Sequence, residues 1–363
     1  MSPLVLLLAF AVDAGLSEEV FHGRPAWVLQ NGSIRVAVLK GGGHIAEVRQ
    51  MTGDPRRDVN PMRVPHYPTI DPQTYNDARD NKIYGDDPHR WLSSGYMGHL
   101  LCFPFYGPPS SPEEIAAGLG NHGEAPIVEW RKTGGGVTGD HIVLHYAADL
   151  TMTQYRVERT VTLPKQGAWV KVEESVENKL FFDRPIQWMQ HATFGPPFIE
   201  PGKSVLRISA VKGDRGGKLP ADESVRERVM PAVKPSGSYT ALLMDPARKY
   251  QFFTMSHPDY PVTIGYVFPT NSNPWAADWQ ENQRAQQKPW NGKVIARGIE
   301  FGCSPYAEGL RKAVERGSLL GVPSYRWIGA RQTLRTEFVI FLTEKYVRNA
   351  SWDGRSVTLE EAR

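Results

Sequence analysis

The chain has 363 residues, of which 40% are hydrophobic and 22% are charged, a composition typical of a globular protein. Its 42 basic and 39 acidic residues nearly balance, so the composition does not show the excess of basic residues that is typical of a nucleic-acid-binding protein. Two cysteines, Cys102 and Cys303, are too few for a disulfide framework or a cysteine zinc motif.

The N-terminus predicts an exported protein. Residues 3–12 form an apolar run that is too short to span a bilayer, and the small residues Val12 and Ala14 are spaced like a signal-peptide cleavage site. A basic segment ahead of the run is missing, so a docked terminal strand in a cytoplasmic protein is the alternative. Residues 1–20 are accordingly assigned to a signal peptide or N-terminal segment, and no membrane span is predicted.

The predicted elements that follow are mainly strands. Residues 26–39 contain two apolar runs on either side of Asn31-Gly32, which is a hairpin signal. Gly41-Gly42-Gly43 predicts a tight turn between strands, because neither a helical pattern nor a Gly-Lys-Ser/Thr sequence follows it. Between residues 127 and 177, apolar and charged residues alternate strongly. Further strands are predicted at 239–243, 250–255, 262–268, 293–301 and 333–343.

Helices are few, and two long segments lack periodicity. Short helices are predicted at 112–118 and 306–316. Residues 54–99 and 269–292 are predicted to be long loops, which are usually functional in a compact domain. The second contains Trp275, Trp279 and Trp290 among amides and carboxylates. Indole rings beside polar groups suit a sugar, which has an apolar C–H face and a polar rim. The alternative is that these tryptophans fasten the loop to the core.

These patterns predict an all-β fold. Many strands at short spacing, with abundant turn residues, are typical of a sandwich or barrel. No fixed repeat and no linker is recognisable, so residues 21–350 are predicted to form one domain, followed by a C-terminal tail at 351–363.

Three residues carry the candidate chemistry: His122, His191 and Glu300. An imidazole and a carboxylate together can donate and remove protons near neutral pH. Glu300 lies in the apolar sequence Gly298-Ile299-Glu300-Phe301-Gly302, where a carboxylate is costly unless it is paired or used. No metal is predicted because the histidines show no ligand spacing, and no cofactor motif is present.

The setting and order of these residues resemble the galactose mutarotase (aldose 1-epimerase) superfamily. Gly41-Gly42-Gly43-His44-Ile45 is similar to an early glycine-rich turn of that family. Residues 98–107 resemble a segment of its sugar-phosphate branch, and Asn121-His122-Gly123 resembles the motif whose histidine binds the sugar. Residues 190–194 are similar to its second histidine motif.

Two further segments complete the resemblance. Residues 297–300 resemble the strand that bears the catalytic glutamate, and residues 334–338 resemble the closing strand. The resemblance covers residues 24–345. It implies a β-supersandwich of large antiparallel sheets with few short helices.

The implied activity is that of an isomerase that interconverts sugar anomers. Glu300 is then the base and His191 the acid, while His122 holds a hydroxyl or the ring oxygen. The partner is a small sugar or an oligosaccharide, no cofactor is implied, and the oligomeric state is not predicted. The candidate substrate-binding residues, taken from these motifs and from the second loop, are His99, Asn121, Gln190, Trp275, Asp278 and Trp279.

Two other functions on the same scaffold stay open at this point. One is a carbohydrate-binding protein without turnover. The other is a lyase or hydrolase that acts on a glycoside or a uronate. The superfamily also contains domains of polysaccharide lyases and glycosidases, so the fold by itself does not decide among them.

Overall fold

The computed structural model of this protein describes residues 14–219 and 223–361, and strands dominate this part of the chain. In chain order the strands are β1 Gly15–Phe21, β2 Arg24–Gln30, β3 Ile34–Leu39, β4 Ile45–Gln50, β5 His99–Cys102, β6 Arg131–Thr138, β7 His141–Leu150, β8 Tyr155–Pro164, β9 Trp169–Asn178, β10 Arg184–Ile186, β11 Met189–Phe194, β12 Val205–Ile208, β13 Ala210–Asp214, β14 Glu227–Val229, β15 Ser236–Met244, β16 Tyr250–His257, β17 Tyr260–Pro269, β18 Trp275–Asn282, β19 Ile295–Gly302, β20 Ser318–Leu319, β21 Val322–Pro323, β22 Arg326–Ile328, β23 Thr333–Thr343, β24 Val347–Trp352 and β25 Val357–Glu361.

The helices are short. They are α1 Asp77–Tyr84, α2 Arg90–Gly95, α3 Pro112–Ala116 and α4 Leu310–Arg316, with single 3₁₀ turns at Pro72–Thr74 and Ala125–Ile127. The N-terminus of α3 is stabilised by a capping box, in which Ser111 and Glu114 each accept a hydrogen bond from the other's backbone N–H. Among the residues that the structure describes, no helix is long and apolar enough to cross a lipid bilayer.

Most strands belong to two large antiparallel sheets. The ten-stranded sheet has the order β1-β2-β3-β4-β5-β11-β19-β18-β15-β13, and the nine-stranded sheet has the order β14-β12-β16-β17-β23-β9-β8-β7-β6. One buried apolar cluster contains residues of both sheets, such as Val36 and Phe301 from the first and Val161 and Val172 from the second. The two sheets therefore pack as a sandwich, and the predicted all-β fold of large antiparallel sheets with few short helices is confirmed.

The sandwich core also contains a buried polar network. Arg159 on β8 and Glu174 on β9 form an ion pair whose side chains are both fully buried. The Arg159 guanidinium also donates to Gln190 Oε1 at 3.0 Å, and Gln190 Nε2 donates to Glu174 Oε1 at 2.8 Å. Such a network is tolerated in a core because its members satisfy one another's hydrogen bonds.

The prediction of a second long loop at residues 269–292 is wrong in part, because residues 275–282 form strand β18. This strand lies between β15 and β19 in the middle of the ten-stranded sheet. Seven of its eight residues are buried, so the sequence does not alternate between apolar and polar residues. Residues 54–98 contain no strand, but they do contain α1 and α2. The predicted helix at 306–316 begins at Leu310, after Gly309.

Strands continue past both predicted ends of the domain, which are residues 21 and 350. Residues 1–13, on which most of the signal-peptide prediction rests, lie outside the described residues. From Gly15 onward β1 pairs with β2, so residues 15–20 belong to the ten-stranded sheet. Most of the predicted C-terminal tail forms a hairpin of β24 and β25, and the ring of Trp352 packs 5.2 Å from the ring of Trp169.

Candidate active site

A cavity of about 250 Å³ lies over the middle of the ten-stranded sheet. It opens on the sheet face that points away from the sandwich core. The side chains of His191 on β11, Glu300 on β19 and Trp279 on β18 line it, together with His122 and Trp290 from loops. Strands β11, β15, β18 and β19, helix α2 and the adjoining loops therefore build the cavity.

Strand alternation explains which side chains reach this cavity. His191 and Glu300 are directly opposite each other in the antiparallel pair of β11 and β19. Their sequence neighbours Ala192, Ile299 and Phe301 point the other way, into the sandwich core. Register and alternation together bring an imidazole and a carboxylate into contact although they are far apart in sequence.

Close packing of these side chains requires a glycine at position 298. Gly298 lies on β19 next to Trp279 in the strand pair and two residues before Glu300. A Cβ atom there would lie 2.8 Å from His191 Cε1, 3.0 Å from the Trp279 ring and 3.1 Å from Glu300 Oε1. The absence of a side chain at Gly298 thus leaves the space in which the side chains of His191, Trp279 and Glu300 meet.

His191 is the centre of a chain of hydrogen bonds. Its Nε2 lies 3.0 Å from Glu300 Oε1, and both side chains are almost fully buried. Its Nδ1 lies 2.9 Å from Thr193 Oγ1, which in turn lies 2.6 Å from the Tyr96 hydroxyl. Burial raises the pKa of Tyr96, so the phenol keeps its proton. The orientation of the imidazole is therefore held by partners on both sides.

The two carboxylate oxygens of Glu300 differ in their surroundings, because only Oε1 lies close to His191. Glu300 Oε2 is buried and has no hydrogen-bond partner among the described residues. An unsatisfied buried carboxylate oxygen is costly and rare in native proteins. Because Glu300 lines the cavity, a ligand hydroxyl there could supply the missing donor.

Burial shifts the pKa values of the acid–base pair in opposite directions. It raises the pKa of Glu300 well above its ordinary value. It lowers the pKa of His191 from 6.5 to about 3. Both shifts favour the uncharged form of each group, because the charged forms lose hydration inside the protein. A raised pKa makes the carboxylate a stronger base, and a lowered pKa makes the imidazolium a stronger acid.

His122 is held in a strained loop conformation. Its backbone φ of 66° is in the left-handed region, which a side chain other than glycine seldom adopts. The Gly107 N–H donates to His122 Nδ1 at 3.1 Å, and the imidazole stacks on Tyr106. Burial lowers the pKa of His122 well below 6.5, so the ring is neutral. A neutral ring that accepts at Nδ1 carries its proton at Nε2, and His122 is thus a hydrogen-bond donor at the cavity.

Aromatic rings form one wall of the cavity. The ring of Trp279 lies 5.9 Å from the ring of His191 and 6.0 Å from the ring of Trp290. The buried guanidinium of Arg63 lies 4.6 Å from the Tyr96 ring and 5.9 Å from the Trp290 ring, which helps to hold both aromatics in place. An indole wall opposite polar groups is suited to the C–H face of a sugar ring.

Five of the residues predicted from the sequence meet in this cavity. His122, His191 and Glu300 line it, and so do Asn121 and Trp279. The two histidine rings are 5.2 Å apart. The spatial convergence of segments that are distant in sequence is what proton-transfer chemistry on one small ligand requires.

The other four predicted substrate-binding residues do not line the cavity. His99 and Gln190 point into the sandwich core, where His99 Nε2 lies 3.0 Å from Gln190 Oε1. Asp278 also lies on the core side of its strand and forms buried ion pairs with Arg297 and Arg228. Trp275 is fully buried, and its Nε1–H donates to the Pro323 carbonyl oxygen. We therefore do not include these four residues in the site.

Several residues of the site were not predicted. Thr193 follows His191 by two residues on β11, and Glu281 follows Trp279 by two residues on β18. Residues two apart on a strand lie on the same face of the sheet, so the sequence could have indicated that Thr193 and Glu281 belong to the site. Tyr96 comes from the long segment before β5, and no pattern in the sequence connects it to His191. Trp290 belongs to the second predicted loop, and the sequence assigns it no partner.

A second group of potential ligand side chains lies outside the cavity. Glu200, His257 and Asp259 each present one atom within 4.8 Å of the others. Lys203 Nζ already contacts both carboxylates at 3.0 Å. The Asp259 N–H donates to His257 Nδ1 at 3.1 Å, and His257 Nε2 lies 3.4 Å from Glu200 Oε2. Because Lys203 already pairs with both carboxylates, we assign no metal to this group.

The buried histidines predict a loss of stability in acid. Burial lowers the pKa values of His44, His99 and His191 to about 3, whereas each would titrate near 6.5 in the unfolded chain. Between about pH 6.5 and 3 the unfolded state therefore binds protons that the folded state does not, and the free energy of unfolding falls as pH falls. The expected loss at pH 5 is roughly 2 kcal/mol for each histidine.

Urea unfolding between pH 8 and pH 4.5 measures this loss. A His44→Gln variant should show a shallower pH dependence than the wild type, because one of the titrating groups is gone. The same change at the exposed His141 is the matched control and should leave the pH dependence as it is. A free energy of unfolding that stays constant down to pH 4.5 would contradict the prediction.

Comparison with known proteins agrees with this architecture. The sequence matches no protein-family model and no curated protein. Among solved structures, a candidate aldose 1-epimerase from Klebsiella pneumoniae is similar with a TM-score of 0.65 at 11% identity, over 90% of this chain and 83% of that one. A galactose mutarotase-like protein from Clostridium acetobutylicum gives 0.60 at 14% identity, over 91% and 98% of the two chains.

A third structure is similar over nearly its whole length. It is a galactose mutarotase related enzyme from Lactobacillus acidophilus, with a TM-score of 0.53 at 12% identity, over 87% of this chain and 97% of that one. Likeness at such low identity is informative about the fold alone. The chain has the galactose mutarotase-like fold, an all-β sandwich of large antiparallel sheets, as its sequence motifs predicted.

Proposed function

We propose that the protein is an aldose 1-epimerase-like isomerase that interconverts the anomers of a free sugar. One observation carries the proposal: on the wall of a small cavity, the buried Glu300 Oε2 lacks a hydrogen-bond partner, while Glu300 Oε1 lies 3.0 Å from His191 Nε2. Ligand pockets usually measure roughly 300–1,000 Å³, so a cavity of about 250 Å³ suits a single sugar ring.

The reaction requires two proton transfers, at two oxygen atoms that are bonded to the same carbon atom. Glu300 removes the proton from the anomeric hydroxyl O1, while His191 donates a proton to the ring oxygen. The bond between C1 and the ring oxygen breaks, the C1–C2 bond rotates, and the ring closes on the other face with both protons returned. O1 and the ring oxygen are bonded to the same carbon, so an acid and a base in direct contact can reach both.

The electrostatics of the pair favour ring opening. Ring opening starts from an ionised Glu300 and a protonated His191, the charge state that burial disfavours in the free protein, and it leaves both groups neutral. Burial stabilises the neutral pair relative to the ion pair, as the raised pKa of Glu300 and the lowered pKa of His191 indicate. Ring closure runs the same transfers in reverse, and the hydrogen bonds of a bound sugar offset the cost of the ion pair.

His122 and the tryptophans bind and orient the sugar. The neutral His122 ring donates its Nε2 proton to a sugar oxygen, in an orientation maintained by the Gly107 N–H. Trp279 and Trp290 supply apolar surface for the C–H face. Positioning of this kind contributes to the rate because the reacting atoms must lie within hydrogen-bond reach of both catalytic groups.

The proposal is tested by polarimetry or NMR with a panel of free aldoses. The purified protein should accelerate anomer interconversion above the spontaneous rate for at least one sugar, without a change in mass. Rates equal to the spontaneous reaction for every sugar would reject the isomerase. Saturable sugar binding in those samples would then indicate a binding protein, and an ultraviolet-absorbing product would indicate a lyase.

Adding one methyl group at position 298 should slow the reaction. We expect Gly298→Ala to fold but to lower kcat/KM by about 100-fold, because the new Cβ pushes His191, Trp279 or Glu300 out of position. Gly32→Ala is the matched control, since no atom lies within 4 Å of a Cβ at that position. A Gly298→Ala variant as active as the control would show that the contact between these side chains is not needed.

A further inference from the structure

A second hollow adjoins the cavity that contains Glu300. This outer hollow measures about 830 Å³ and is open to the surface. It shares four lining residues with the inner cavity: Tyr239, Trp279, Arg284 and Ala307. The two spaces are therefore neighbours along one cleft, with the half-buried Trp279 on the wall of both.

The walls of the outer hollow are aromatic and apolar. The rings of Tyr239 and Tyr306 lie 5.7 Å apart, 30° from parallel. Leu319 and Leu320, from the small hairpin of β20 and β21, add aliphatic surface. Tyrosine and tryptophan faces beside leucines match the C–H surface of a second sugar ring, as they do in the inner cavity.

The arginines around the outer hollow already have carboxylate partners, and the Asp214 carboxylate accepts hydrogen bonds from the Tyr306 hydroxyl and the Gly217 N–H. Arg316 donates to both carboxylate oxygens of Glu308, at 2.7 and 2.8 Å. Arg284 Nε lies 3.7 Å from Glu281 Oε2. Each arginine that lines the hollow thus has a carboxylate close by, and an added phosphate or carboxylate would compete with that partner. The hollow is suited to an uncharged group.

We infer that the outer hollow is a second sugar subsite and that the preferred substrate is an uncharged reducing disaccharide or longer saccharide. The inference rests on the proposed isomerase function, because that chemistry places the reducing-end ring at Glu300 and His191. The next ring, attached through a hydroxyl other than the anomeric one, then passes Trp279 and packs against Tyr306 and Leu319.

Mutarotation rates for matched sugars test the inference. Glucose is compared with maltose, cellobiose and lactose, which all have glucose as the reducing-end ring, and at least one disaccharide should show a kcat/KM about tenfold above that of glucose. Tyr306→Ala should remove this gain. Leu319→Trp, which fills the hollow without removing any contact of Tyr306, should do the same. Neither residue lines the inner cavity, so monosaccharide rates should change less than about twofold.

The controls separate this inference from the proposed function. Tyr325→Ala makes the same chemical change outside both hollows and should leave the preference for disaccharides in place. Turnover of monosaccharides without any gain for disaccharides overturns the second subsite alone. A preference for sugar phosphates or uronates overturns the uncharged substrate class. No turnover of any sugar overturns the isomerase and the subsite together.

Discussion

Glu300→Gln should lower the rate of anomer interconversion by about 10²–10⁴-fold, the usual contribution of general acid–base catalysis. Glutamine has nearly the same shape as glutamate and can keep a hydrogen bond to His191, but it cannot accept the O1 proton. Sugar affinity should be largely retained, since His122 and the tryptophans are unchanged. The measurement is kcat and KM by polarimetry, and we expect the loss in kcat rather than in KM.

Stability provides a second measurement for the same variant. Burial raises the pKa of Glu300 in the folded state above its unfolded value. The protonated carboxyl is therefore favoured by folding, and this contribution is lost as pH rises through the folded-state pKa. Glutamine cannot ionise, so Glu300→Gln should be more stable than the wild type at neutral pH, by about 1 kcal/mol.

The combination of lower activity and higher stability is diagnostic. An unfolded or misfolded variant would lose both. The exposed Glu173 on β9 offers the matched control, and Glu173→Gln should change neither the rate nor the stability appreciably. If Glu300→Gln keeps the wild-type rate, Glu300 is not the base, and the search for the proton acceptor has to move to another group.

Arg159→Met should destabilise the fold by about 3–5 kcal/mol, the typical cost of removing one partner of a buried ion pair. Arg159 and Glu174 are fully buried between the sheets. Without the guanidinium, Glu174 retains the neutral donors Trp188 and Gln190, but its charge has no counterion. The measurement is the free energy of unfolding in urea at pH 7.

Two further variants isolate the cause of this loss. Arg156 is on the exposed face of the same strand and pairs with Asp149 and Glu158, so Arg156→Met should cost less than about 1 kcal/mol. Adding Glu174→Gln to Arg159→Met should restore part of the stability, because it removes the unpaired charge and keeps an acceptor for Trp188 and Gln190. If Arg159→Met and Arg156→Met lower the free energy of unfolding equally, the buried ion pair contributes no more to stability than the exposed one.

The fold was largely predictable because most of its strands obey simple alternation. In β8 and β9, residues such as Val157, Val161 and Val172 recur at every second position between polar residues, which is the pattern of a sheet with one covered face. Strand β18 was not predictable in this way. Both of its faces are covered, and a segment that is buried on both sides has no alternation to reveal it.

The candidate site was predictable where local sequence was distinctive. His122, His191 and Glu300 were recognisable from their short motifs, and the structure brings them to one cavity. The direction in which a strand residue points was harder to predict. Gln190 and His191 are adjacent in one motif, yet they lie on opposite faces of β11, and only His191 reaches the cavity.

By itself, therefore, the sequence determined the class of fold, and it singled out His122, His191 and Glu300 as candidates, because local patterns encode the strands and short distinctive motifs mark these residues. The tertiary structure decided which face of each buried strand meets the ligand, and it brought Tyr96 and Thr193 to His191. It also decided that His191 and Glu300 touch, since antiparallel register places them opposite each other. Contacts of this kind depend on strand pairing across more than 100 residues, which no local pattern in a single sequence specifies.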